Sequence, residues 1–103
     1  MEDLIPQEIR KQIPPLYATE DLADPVVYVK LFLDGWTWYI TELSINGDLA
    51  FGYVVSPYCG GELGYISLIE IQSIKSSSLG IGVEMDLSFN PTKLSQVKKA
   101  SWC

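Results

Sequence analysis

The chain has 103 residues, 48% of them hydrophobic, with 13 acidic side chains against seven basic ones and a formal charge of −6. That is one domain's worth of chain with apolar material enough for a core, and it lacks the clustered Lys and Arg that duplex nucleic acid and anionic membranes require. Histidine is absent and the two cysteines, Cys59 and Cys103, are far apart, so Ser-His-Asp and Cys-His nucleophiles, histidine-bearing zinc sites and Cys-rich metal sites are all excluded.

In chain order, residues 4–13 place Ile5, Ile9 and Ile13 at helical spacing behind Pro6, which predicts a helix over 5–13 stopped by Pro14-Pro15. Residues 15–25 read as a polar surface loop, and Tyr17, Glu20 and Asp24 become candidate binding residues because loops carry sites. The strongest signal is Val26 to Glu42, two runs of β-branched and aromatic residues joined by Asp34-Gly35, a hairpin that organises the rest. In its first arm Val27, Val29, Leu31 and Leu33 form the face expected to be buried; in its second, Trp36, Trp38 and Ile40 lie opposite Thr37, Tyr39 and Thr41.

Asn46-Gly47 turns the chain into a third strand over 49–55, and a loop leads to a short fourth strand over 63–66. Ser67 and Glu70 have the spacing of a capping box ahead of Leu68, Ile71 and Ile74, which predicts a second short helix. After the Ser-rich connection at Ser76–Ser78, Val83 to Phe89 alternates four apolar with three polar residues, as a strand with one wet face does. A weakly ordered basic tail is expected over 92–103. Together these elements predict a single α+β domain: a mostly antiparallel meander of about five strands over 26–89, with two short helices packed on one face.

Charge is unevenly distributed, with ten acids and two lysines between Glu20 and Asp86, and Lys93, Lys98 and Lys99 with no acid beyond. Glu42, Glu84 and Asp86 could assemble a carboxylate cluster for a divalent cation or acid/base work, although alternating acids are also what a solvated sheet face needs. Trp36, Trp38, Tyr39, Tyr28 and Tyr65 could stack single-stranded bases, but core packing or a protein interface uses the same residues. Cys59 has neither a histidine nor a nearby lysine to activate it. Gly80-Ile81-Gly82 lacks the rest of a dinucleotide fingerprint, and there is no Walker lysine. No catalytic residue, metal ligand or cofactor is assigned.

The segments L-Y-A-T-E (16–20), D-P-V-V-Y-V-K-L-F (24–32), W-T-W-Y-I-T-E (36–42), G-E-L-G-Y-I-S-L-I-E-I (61–71) and V-E-M-D-L-S-F-N-P (83–91) resemble the domain of unknown function 2958 family of small bacterial proteins. The resemblance runs from Leu4 to Pro91. It implies a passenger of plasmids, phages and other mobile elements, and it assigns no catalytic residues. The function expected is therefore that of a cytoplasmic, non-enzymatic acidic binding protein of a plasmid or phage, engaging or inhibiting a host nucleic-acid-handling defence protein with a basic surface. Its candidate partner-binding residues are Tyr17, Glu20, Asp24, Trp36, Trp38, Glu42, Glu84 and Asp86. A small carboxylate enzyme and a single-strand binder are the alternatives.

Overall fold

The computed structural model describes residues 4–58, 60–74 and 82–100; the Ser76–Ser78 connection, Cys59 and Cys103 lie outside them. The N-terminal segment contains one helical turn, α1 (Gln7–Arg10), shorter than the 5–13 expected. Ile9 and Arg10 both donate to the Pro6 carbonyl, and the prolines that follow end the helix. Ile5 and Ile13 are still buried, with Leu4 and Ile9 packed alongside.

What reads as one strand from Val26 is two, β1 (Val26–Val27) and β2 (Val29–Leu33). Asp34 and Gly35 both adopt positive φ, 48° and 87°, as a type I′ turn demands. They connect β2 to β3 (Trp36–Leu43), with Val29 opposite Ile40 and Leu33 opposite Trp36. Then come β4 (Leu49–Val55), β5 (Gly61–Ser67) and α2 (Leu68–Ser73). The Ser67 hydroxyl accepts from the Glu70 amide at 3.2 Å, so the cap is real. A two-residue β6 (Glu84–Met85), β7 (Thr92–Lys93) and α3 (Leu94–Ala100) complete the described chain.

The main sheet has the order β5-β4-β3-β2-β6 and is antiparallel throughout, and β1 pairs with β7 in a separate ribbon. This is the α+β meander that the turn signals imply. Its core face carries Val29, Leu31, Leu33, Trp38, Ile40, Leu43, Ala50 and Ile66 under Ile5 and Ile13 of the N-terminal segment and Leu68 and Ile71 of α2. The opposite, tyrosine-bearing face is covered in part by β1 and α3, where Val27, Leu94 and Val97 pack with Tyr39, Tyr53 and Phe89.

Two further expectations are corrected. Only Glu84 and Met85 of the 83–89 alternation are strand, because Asp86 turns the chain: its carboxylate accepts from the Ser88 amide (2.9 Å) and its carbonyl from the Phe89 amide (3.2 Å). Leu87 is left 86% exposed rather than inward. The basic tail, as far as Ala100, is a strand and a third helix on the second face rather than weakly ordered chain. The Leu94 amide donates to the Pro25 carbonyl at 2.8 Å, and Asp24 holds the next residue, so partners about 70 residues away in sequence order this segment.

Candidate functional site

Counting by twos from Trp36, Trp38 and Ile40 would put Glu42 in the hydrophobic core. A β-bulge prevents this. Ile40 faces Gly52 but Glu42 faces Phe51, so Thr41 is an extra residue on β3 and the side-chain parity inverts beyond it. The buried Thr41 hydroxyl donates to the Phe51 carbonyl at 3.0 Å and occupies the irregularity. Gly52 is required opposite: a Cβ there would come within 1.8 Å of the Tyr39 carbonyl oxygen. Leu43 returns to the core with Ala50, and Glu42 emerges on the tyrosine face beside Phe51 and Tyr65.

Glu42 remains only 4% exposed because the 16–20 loop closes over it. Its carboxylate accepts from the Tyr17 amide (2.9 Å), the Thr19 amide (2.8 Å) and the Thr19 hydroxyl. Burial pushes the carboxyl upward, but these bonds from Thr19 and Tyr17 together outweigh it and hold the group below its ordinary value of 4.5. Tyr17 takes φ 71°, a left-handed conformation costly for an aromatic residue, and that geometry aims its amide at Glu42. Its ring reaches β5, where the Tyr65 hydroxyl donates to the Tyr17 hydroxyl at 3.1 Å. This contact holds the Tyr65 phenol above its usual range.

The loop, the sheet and α3 thereby enclose an open cleft of about 350 Å³. Phe51, Thr41 and Glu42 are among its lining, together with Leu94 of α3. Tyr17, Leu22, Leu63 and Tyr65 border it and are each 50–59% exposed, with Glu20 and Lys98 as charged neighbours. Asp24 sits at the loop's far end and accepts from the Ser95 amide (2.8 Å) and hydroxyl (2.7 Å), which hold its carboxyl below the ordinary value. It fastens α3 rather than facing the cleft.

The eight candidates therefore separate. Tyr17, Glu20 and Glu42 meet at the cleft, with Asp24 fastening the loop's far end. Trp36 and Trp38 stack on the core face (ring centroids 6.2 Å apart), away from Tyr39, so these three rings do not make one platform. Trp38 is core, and Trp36 borders a second depression with Leu33, Pro57, Tyr58 and Ile74. Glu84 pairs opposite Phe32 at the far end of the sheet from Glu42, and Asp86 makes an ion pair with Lys30 at 3.7 Å. No three acids or cysteines gather in metal-binding geometry among the described residues. Thr19, Leu22, Phe51 and Leu63 are cleft residues that the sequence reading passed over. The available signal was the acid in W-T-W-Y-I-T-E, since a carboxylate ending an apolar strand needs donors and the L-Y-A-T-E loop (16–20) supplies them.

The family described as "Protein of unknown function (DUF2958)" matches residues 4–101. The chain belongs to this family. Every residue of the DUF2958 cleft lies inside the matched span. No curated protein and no solved structure matches the chain. No helix among the described residues is long and apolar enough to cross a membrane.

Proposed function

We propose that the chain is a non-enzymatic binding protein that holds a protein partner in the cleft beside β5. The observation that carries this reading is the chemistry of the cleft. Its buried carboxylate is engaged by three donors of the 16–20 loop, while four large apolar side chains are left half exposed around it. A reactive acid needs lone pairs or a proton free for substrate, and Glu42 spends three of its roughly four acceptor positions on ordering the loop. Aromatic and aliphatic side chains on a rigid base are what protein interfaces use as anchors.

With a formal charge of −6, the chain favours a partner with a basic surface, which charge complementarity would steer and salt would weaken. A host nucleic-acid-handling protein met by a plasmid or phage has such a surface, and this is the partner class proposed. The test is affinity capture from bacterial lysate at low and then high salt, comparing the parent with Leu22→Ala/Tyr65→Ala. A basic protein released by salt and lost in the double variant is expected. Equal capture by both proteins, or an empty eluate from a folded sample, would overturn the reading.

A further inference from the structure

The two edges of the main sheet differ. β6 is two residues long and ends in the Asp86 turn, whereas β5 runs for seven residues in unbroken register with β4. It contains no proline, lysine or bulge, and Glu62 is the one charged residue among the devices that protect an edge. The direction of its free hydrogen-bonding groups follows from the ladder. The Ser56 amide donates to the Gly60 carbonyl (3.3 Å) and the Leu68 amide to the Asp48 carbonyl (2.9 Å). With Gly52 opposite Gly64 in the same register, the even-numbered residues of β5 bond to β4. Gly61, Leu63 and Tyr65 therefore turn their N–H and C=O groups outward, and among the described residues no strand pairs with them.

These outward residues also place their side chains on the tyrosine face, where Leu63 and Tyr65 border the cleft with Tyr17 and Leu22. A strand added at this edge would bond to Leu63 and Tyr65 through its main chain and lay its own apolar side chains beside theirs. Its alternate residues would stand on the other face, level with the exposed Glu62, where a cation is the complementary choice. A second copy is the poorer occupant, since each copy has a charge of −6 and would bring another Glu62 to the edge.

We infer that β5 is a strand-addition edge that receives an extended segment of a protein partner in which apolar residues alternate with Lys or Arg. The inference rests on the binding-protein reading and specifies how the partner is held.

The probe is a short capped peptide in which Val and Tyr alternate with Lys, compared with the same peptide N-methylated on alternate amides. The readouts are hydrogen exchange and amide chemical shifts of the full chain. The unmodified peptide should slow exchange at Leu63 and Tyr65, and N-methylation should weaken binding about tenfold or more by removing edge donors. Leu63→Pro should weaken it comparably while leaving the β4 ladder intact, because the Leu63 N–H points outward. Glu62→Lys should weaken the Lys peptide and favour a Glu-substituted one. Equal binding of both peptides would overturn the inference, whatever the Pro variant does. So would Leu63 and Tyr65 amides already protected in a free protein of dimer mass, which would make the occupant a second copy. Capture of a basic host protein undiminished by Leu63→Pro would remove the edge and leave the binding-protein reading standing. Peptide addition with no host protein captured would do the reverse.

Discussion

Glu42→Gln is the most informative substitution, since it changes one atom type in a group that already accepts three hydrogen bonds. The carboxylate accepts from three donors, two of them main-chain amides 2.8 and 2.9 Å away. Glutamine offers one oxygen, and its NH2 must meet at least one of these donors head-on. Losing one or two charge-assisted bonds at a site 4% exposed should destabilise by about 2–4 kcal/mol. At roughly 4 °C per kcal/mol for a domain of this size, Tm should fall by about 8–16 °C. Urea denaturation gives the free energy and calorimetry the Tm. Hydrogen exchange should show Tyr17 and Thr19 losing protection while β3 and β4 keep theirs. A variant as stable as the parent, or more stable, would refute the view that Glu42 serves the loop, and would reinstate a carboxylate kept for a ligand. The pH dependence has a definite sign. The folded-state value lies below the ordinary 4.5, so the stabilisation is complete above about pH 4.5 and is lost as pH falls through the folded value. In Glu42→Gln that acid limb should flatten.

Gly52→Ala should cost at least about 3 kcal/mol or prevent folding, because its Cβ would meet backbone at 1.8 Å, while Gly64→Ala, with nothing within 4 Å, should stay within about 0.5 kcal/mol of the parent in urea titrations. Trp38→Ala should destabilise by about 3–5 kcal/mol and Trp36→Ala by about 1 or less, following their 7% and 41% exposure in the same assay. Asp24→Ala should unfasten α3, raising amide exchange at Ser95 and Val97 without altering the β3–β4 ladder.

The meander was legible because its signals are local. Asp34-Gly35 and Asn46-Gly47 determine turns by backbone sterics, and the odd-numbered face of β2 is apolar at every position. The bulge was not legible, since W-T-W-Y-I-T-E alternates equally well with or without an extra residue and only the facing Gly52 hints at it. The cleft was lost with it, because the position of Glu42 depends on that one-residue shift. α3 has two buried apolar residues, Leu94 and Val97, too few to announce a helix without Val27 beneath them. Val83 to Phe89 shows the converse error, in which a clean alternation yields to an Asp86 side chain that makes a turn more readily than a strand.

The fastening of α3 also bears on how the chain folds. Strands β2 to β5 pair with their sequence neighbours, so the meander can condense early, from local contacts. Asp24 must instead wait for Ser95, 71 residues later, and β1 for β7. During synthesis the tyrosine face therefore stays uncovered until β7 and α3 have left the ribosome, and substitutions at Asp24 should speed unfolding while leaving the folding rate nearly unchanged.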